Sequence, residues 1–142
     1  VGGKDNDLLF GDVGGDIVYG NLGNDTCEGG VGDDLVRGGK DNDTLAGGDG
    51  NDWLSGDRGD DTIAGGAGAD IFHSSGDAGL DRVVDFNSAQ GDRILLDPGT
   101  TYALRHEGPD TIIDLAWSGQ PVAGQIVLVG VSATTLGDWL IA

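Results

Sequence analysis

The chain has 142 residues, 29 of them glycine, and a formal net charge of −18 from 25 acidic and only 7 basic residues. That balance excludes nucleic acid as a partner, which needs basic surface, and a polyanion of this kind repels itself unless cations belong to the fold. A single cysteine excludes an internal disulfide, no apolar run is long enough to span a bilayer, and no N-terminal secretory signal is visible.

Glycine is about a fifth of the residues, against a usual ~7%, and it is periodic. Residues 2–73 read as eight nine-residue units without a gap, from Gly2-Gly3-Lys4-Asp5-Asn6-Asp7-Leu8-Leu9-Phe10 to Gly65-Gly66-Ala67-Gly68-Ala69-Asp70-Ile71-Phe72-His73. Every unit has Gly at position 1, Asp at position 6 and an apolar residue at position 8. Nine residues are too few for a helix pair. They suit a six-residue turn, with glycines at positions 1, 2 and 4 supplying φ > 0 and close backbone approach, followed by a three-residue strand. Two units make one coil of 18 residues, and coils stack at the strand spacing of ~4.8 Å.

Stacking sorts the residues into columns. Asp7, Asp25, Asp43 and Asp61 fall along one edge, and Asp16, Asp34, Asp52 and Asp70 along the other. Like charges ~5 Å apart are unfavourable without a counterion. A hard cation that takes 6–8 oxygens, as Ca2+ does, converts that clash into the bond that holds the stack. Position 8 supplies the core: Leu9, Cys27, Leu45 and Ile63 in one sheet, and Val18, Val36, Leu54 and Phe72 in the other. One inward apolar side chain per nine residues leaves burial short of the entropy lost on ordering the backbone. The repeats are therefore expected to fold only with metal. Cys27, in the position-8 register, reads as a small buried hydrophobe.

These residues resemble the RTX (repeats-in-toxin) family of secreted bacterial proteins, whose fold is a parallel β-roll. The resemblance implies Ca2+ between each turn and the turn 18 residues on. The first turn gives carbonyls at positions 2 and 4 and its Asp; the second gives carbonyls at positions 1 and 3 and its Asp. On one edge it implies Gly3, Asp5 and Asp7 with Gly20, Leu22 and Asp25, then Asn21, Gly23 and Asp25 with Gly38, Lys40 and Asp43, then Gly39, Asp41 and Asp43 with Gly56, Arg58 and Asp61. On the other it implies Asp12, Gly14 and Asp16 with Gly29, Val31 and Asp34, then Gly30, Gly32 and Asp34 with Gly47, Asp49 and Asp52, then Gly48, Gly50 and Asp52 with Gly65, Ala67 and Asp70. These are six complete sites, and six Ca2+ would bring the formal charge from −18 to −6. Where the pattern departs from Gly, the residues are Asp12, Asn21 and Asp57 at position 2 and Asp5 and Asp41 at position 4, the types that best tolerate φ > 0.

Outward positions carry two further columns. Ile17, Leu35, Trp53 and Ile71 form an apolar stripe on one sheet, against Leu8, Thr26, Thr44 and Thr62 on the other. Lys4, Leu22, Lys40 and Arg58 form a weak basic column that screens the aspartates beside it or touches an acidic polysaccharide.

Periodicity breaks after His73, and residues 74–142 are expected to form a β cap continuous with the roll. Asp81-Arg82-Val83-Val84-Asp85-Phe86 and Gly91-Asp92-Arg93-Ile94-Leu95-Leu96-Asp97 read as strands across a polar turn. They resemble the segment that closes the roll in serralysin-type proteases, with Val83 and Leu95 at its Ile positions. Asp77 or Asp81 is a candidate to complete a further site over Asp61 or Asp70. Thr101–His106, Thr111–Trp117 and Gln125–Val131, separated by Gly108-Pro109-Asp110 and Ser118-Gly119-Gln120-Pro121, read as an antiparallel meander covering the edge strand. The ending Asp138-Trp139-Leu140-Ile141-Ala142 resembles the uncleaved signal of type I secretion substrates, or is simply a last strand.

The motifs His-Glu-x-x-His and Gly-x-Ser-x-Gly are absent. His73 reads as a surface residue and His106 as an ordinary strand residue, so no catalytic residue is expected. The expectation is an all-β, non-catalytic, secreted module that binds about six or more Ca2+, folds outside the cell and supports type I secretion. Its partners would be the secretion machinery and an upstream domain of a protease, lipase or epimerase. The alternative is an alginate-binding R-module of a mannuronan C5-epimerase, with Lys4, Arg37, Lys40 and Arg58 on the sugar.

Overall fold

In the computed structural model, which describes residues 1–75, 79–117 and 124–141, the repeats form strands β1 (Leu8–Val13), β2 (Ile17–Leu22), β3 (Thr26–Val31), β4 (Leu35–Lys40), β5 (Thr44–Asp49), β6 (Trp53–Arg58), β7 (Thr62–Ala67) and β8 (Ile71–Ser74). Odd strands stack in parallel in one sheet and even strands in the other. The register is the expected 18 residues: Leu9 lies opposite Cys27 and Cys27 opposite Leu45, while Val18 lies opposite Val36 and Val36 opposite Leu54. The strands are longer than the three residues expected. They run on through positions 1–3 of the next unit, because the turn backbones there also stack in register, as at Asp12–Gly30 and Gly30–Gly48.

The two sheets face each other across the position-8 side chains. Val18, Cys27, Val36, Leu45, Leu54, Ile63 and Phe72 are buried, and Leu9, at the open end of the stack, is only partly so. Burial, then the charge of Asp25, pushes the Cys27 thiol up to about 11, so it behaves as the inert core residue expected.

The glycines divide into two roles. Positions 2 and 4 hold the left-handed backbone, and Asp12, Asn21, Asp41 and Asp57 adopt it at φ 76°, 86°, 79° and 72°. Gly3 and Asp5, in the first coil, do not. Position 1 never has positive φ, contrary to expectation. There a Cβ would run into the carboxylate of the same unit's Asp and the position-1 carbonyl of the next coil, as at Gly29 and Gly47.

Parallel stacking continues past His73. Strand β9 (Leu80–Val83) lies on β7 and β10 (Arg93–Leu96) on β8, which makes a fifth coil. The inward residues of β10 are Ile94 and Leu96, so Leu95, matched above to an Ile position, faces outward. The meander follows as β11 (Thr100–Glu107), β12 (Asp110–Trp117) and β13 (Gly124–Leu128). It is antiparallel within itself but joins the roll through β13, which is parallel to β9. After a 3-10 turn at Gly137–Trp139, β14 (Leu140–Ile141) adds in parallel to β10. Both C-terminal sheet edges are thereby covered, and Phe86 seals the end between Phe72 and Trp139, at ring distances of 5.9 and 5.3 Å. The Ser118–Pro121 turn, Asp77 and Ala142 fall outside the described residues.

The close stacking of turns sets a test. Gly48, at φ 119°, has the Gly30 carbonyl where a Cβ would sit. Gly48→Ala is expected to cost about 1–3 kcal/mol, read as a lower Tm in calcium; an unchanged Tm would contradict the turn geometry.

Candidate metal sites

The turns place the position-6 aspartates in two continuous ladders. On one edge the Asp7, Asp25 and Asp43 amides donate to Oδ1 of Asp25, Asp43 and Asp61 at 2.7–2.8 Å. On the other the Asp16, Asp34 and Asp52 amides donate to Oδ1 of Asp34, Asp52 and Asp70 at 2.7–3.0 Å. Asp25, Asp34, Asp43, Asp52, Asp61 and Asp70 are all at most 3% exposed. One oxygen of each carboxylate is thus satisfied. The other, Oδ2 of Asp16, Asp25, Asp34, Asp43, Asp52, Asp61 and Asp70, is buried with no hydrogen-bond partner. A row of buried, orphaned carboxylate oxygens is costly unless something else binds them.

Many of the carbonyls named above face the turn of an adjacent coil. Position-2 and position-4 carbonyls point towards the following coil: those of Asp12, Asn21, Gly30 and Gly48, and of Asp5, Gly14, Gly32, Asp41 and Gly50, meet the backbone of that coil's turn glycines. Position-1 carbonyls of Gly20, Gly29, Gly38, Gly47 and Gly65 point back towards the preceding coil. Position-3 carbonyls of Val31, Asp49 and Ala67 also point back, accepting the amides of Gly14, Gly32 and Gly50. Leu22 stacks on the first turn through its amide to the Gly3 carbonyl, and Lys40 and Arg58 follow it in register. Carbonyl oxygens of adjacent turns and the orphaned carboxylate oxygens thus face one another between coils, a donor set that fits Ca2+.

Without a cation in the gaps, burial disfavours the charged form of these carboxyls. Asp43 is pushed up to about 7 and Asp70 to about 6, in each case by desolvation first and by neighbouring aspartates in the ladder after it. Asp52 and Asp61 move up for the same leading reason.

Two features escaped the sequence reading. The first is a second ladder at position 5, running in the opposite sense. Asn6 Oδ1 accepts the Asn24 amide, Asn24 that of Asn42 and Asn42 that of Asp60, while on the other edge Asp33 accepts from Asn51 and Asn51 from Ala69. Its signal was available as Asn and Asp recurring every 18 residues. The second is that both aspartate columns continue, through Asp92 as well as through the candidate Asp81. Asp81 lies in the column of Asp61, and the Asp70 amide donates to Asp92 Oδ1 at 3.1 Å. After a two-residue insertion at 74–75 the unit resumes in residues 76–84, with Gly76, Gly79, Asp81 and Val83 at positions 1, 4, 6 and 8.

The outer face of the even sheet carries the basic column. Lys4, Leu22, Lys40 and Arg58 line a groove of about 830 Å³ together with Tyr19 and Arg37, so four of the seven cations of the chain meet there. Arg37 sits 5.7 Å from the Tyr19 ring centroid and ion-pairs Asp57 at 2.7 Å. The apolar stripe is exposed at Ile17, but Trp53 stacks on His73 at 5.0 Å. His73 is not the plain surface residue expected: Nδ1 lies 3.1 Å from Ser55 Oγ and Nε2 3.0 Å from Asp97. Ser55 is buried and its hydroxyl donates to Asp57, an arrangement that ties β6 to β8. His106 lies beside Thr111, as a strand residue should.

Known proteins share this architecture. A solution structure of the AlgE6R3 subunit from the Azotobacter vinelandii mannuronan C5-epimerase superposes with TM-score 0.58 at 24% identity, over 99% of this chain and 80% of that one. The extracellular lipase LipA from Serratia marcescens does so with TM-score 0.50 at 19% identity, over 100% of this chain and 39% of the lipase. At these identities the likeness is one of fold. No curated protein sequence matches. The RTX calcium-binding nonapeptide repeat (4 copies) matches residues 1–27, 20–54, 28–63, 37–72 and 46–83, more than half of the chain. The chain therefore belongs to the RTX calcium-binding nonapeptide repeat family.

Proposed function

We propose that the chain is a calcium-folded, non-catalytic module of a secreted protein, unfolded where calcium is scarce and folded outside the cell. The observation that carries this reading is the row of buried Oδ2 atoms without partners in Asp16, Asp25, Asp34, Asp43, Asp52, Asp61 and Asp70. Six Ca2+ would sit between successive turns, held by the carbonyl and aspartate sets given above. With an affinity of ~10⁻⁴–10⁻³ M, typical of extracellular calcium modules, such sites stay empty in the cytosol. The chain then threads through a type I exporter and folds once outside, supporting the maturation of its parent protein. Far-UV circular dichroism in excess chelator and then in millimolar calcium tests this: we expect a disordered spectrum that becomes β. Full β signal in chelator would overturn it.

Asp43 serves two gaps, so Asp43→Asn is expected to raise the calcium midpoint of folding about tenfold, equivalent to ~1.4 kcal/mol. Protons compete for the same oxygens. The metal-free folded ladder has carboxyls raised to about 6 and 7 at Asp70 and Asp43. It therefore holds protons that an unfolded chain releases near the ordinary carboxylate range. The metal-free fold gains stability as pH falls, and loses it as pH rises through those raised values. Calcium needs the ionised form, so its binding behaves oppositely. Folding by calcium starts from an unfolded chain whose carboxylates are already ionised above about pH 5, so the calcium midpoint is expected to stay level from pH 8 to 6 and to rise only as pH falls into the ordinary carboxylate range, measurable by calcium titrations at several pH values. A midpoint that rises between pH 8 and 6 would show instead that the metal-free chain is already folded.

A second reading, an anionic-polysaccharide module like the R-module of an alginate epimerase, is favoured by one observation: Lys4, Arg37, Lys40 and Arg58 gather in one groove of an otherwise anionic chain. Titrating the calcium-loaded protein with alginate oligomers separates the two. Shifts confined to Tyr19 and the groove, weakened in Lys40→Ala, favour polysaccharide binding; heat from calcium chelation by the sugar alone favours the folding module.

A further inference from the structure

We propose that His73 is a proton-operated latch: as the imidazolium it closes an unbroken polar chain across the outer face of the even sheet, and loss of one proton frees the turn that leads into β11. Three observations carry it.

The first is the chain itself. Arg37 Nε and Nη2 donate to Asp57 Oδ2 at 3.0 and 2.7 Å, and the Ser55 hydroxyl donates to Asp57 Oδ1 at 2.8 Å. His73 then joins Ser55 Oγ through Nδ1 at 3.1 Å to Asp97 Oδ1 through Nε2 at 3.0 Å. The chain runs from β4 through β6 and β8 to the residue just beyond β10.

The second is the count of hydrogens. A carboxylate only accepts, and a serine hydroxyl carries one hydrogen. Ser55 gives its hydrogen to Asp57, so Ser55 Oγ is left to accept from His73 Nδ1. Asp97 also accepts, so Nε2 must donate as well. Only the imidazolium has both N–H groups. With one hydrogen fewer, either the Nε2 lone pair faces Asp97 or Ser55 turns its hydroxyl away from Asp57. The Asp97 side chain is 40% exposed and that of Asp57 22%. Water replaces a lost bond more readily at Asp97, so that is the link that opens.

The third is placement. Trp53 stacks on the His73 ring with the planes 23° apart, which fixes the direction of both nitrogens. Asp97 begins a turn in which its carbonyl accepts the Thr100 amide at 3.0 Å, and Thr100 starts β11. That strand ends its sheet, pairs only with β12 and has no buried residue. The latch thus holds the root of the least supported strand of the cap.

The ionisable groups on the strands around His73 are Asp97 beyond β10, Arg93 on β10, Asp57 and Arg58 on β6, and Arg37 and Lys40 on β4; β8 carries no other. Imidazole changes charge between about pH 5 and 8, where ordinary carboxylates stay ionised. Falling pH therefore fastens the turn and rising pH releases it. One such proton shared over six Ca2+ leaves the calcium midpoint of folding level, so the latch is read at the turn itself.

Nitrogen and amide NMR of the calcium-loaded chain across that range tests this. Both His73 ring nitrogens are expected to carry hydrogen at the acid end. The Gly99 and Thr100 amide signals are expected to move in step with the loss of one. In His73→Gln, and in Asp97→Asn, whose amide can pair with either ring form, the turn signals are expected to stay still. His106→Gln, which removes the other histidine, leaves them moving. A ring with one hydrogen at the acid end, a turn that stays still in the unaltered chain, or a turn that still moves in His73→Gln would overturn the latch. If a variant does not fold, the ring nitrogens and turn signals of the unaltered chain decide alone.

Discussion

The structure depends on stacked carboxylates that are half satisfied. Each ladder aspartate from Asp25 to Asp70 spends one oxygen on the amide of the coil before it and leaves the other buried without a protein partner. Neither burial nor repulsion between neighbours permits that state in the ionised form without a cation. The other oddities of the sequence follow. Glycine at position 1 leaves room for the carboxylate; left-handed residues at positions 2 and 4 turn carbonyls into the gap. The core can be thin because it is not asked to hold the fold alone.

The opposed side-chain ladders explain why the stack needs no helix or disulfide. Position 6 reaches back to the preceding coil and position 5 is reached by the following one, as at Asp25–Asp7 and Asn24–Asn42. Each coil is gripped from both sides by side-chain oxygens as well as by the sheet. At the C-terminal end β13 and β14 cover the sheet edges. At the other end β1 and β2 each pair on one side only, with Leu8 and Ile17 exposed.

The columns and the core were legible because a fixed period of nine converts directly into space. What was missed lies where period and space part company. Asp92 is invisible to an 18-residue rule because a longer loop returns it to its column. Asp81 was legible only as one of two candidates, because a two-residue insertion shifts an intact unit out of phase. The six-residue strands were unreadable because glycine and aspartate have poor strand propensity, and only contact with the next coil extends them. The position-5 ladder looked like ordinary turn composition. His73 looked exposed because alternation alone does not reveal that Trp53 and Asp97 flank it.

One feature of the turn reaches beyond stability. Within each unit, positions 1, 2, 4, 5, 6 and 8 are committed to the stack through backbone space, side-chain ladder or core. Positions 3, 7 and 9 carry the outer faces, joined there by a position-2 side chain such as Asp57, and these are where residues as different as Lys40, Asp49 and Ala67, or Tyr19, Arg37 and Ala46, alternate along the roll. The scaffold is thus decoupled from its own exterior. Its outer faces can drift from apolar to basic to acidic without touching the machinery that folds it, so one metal-held frame is able to display many unrelated surfaces.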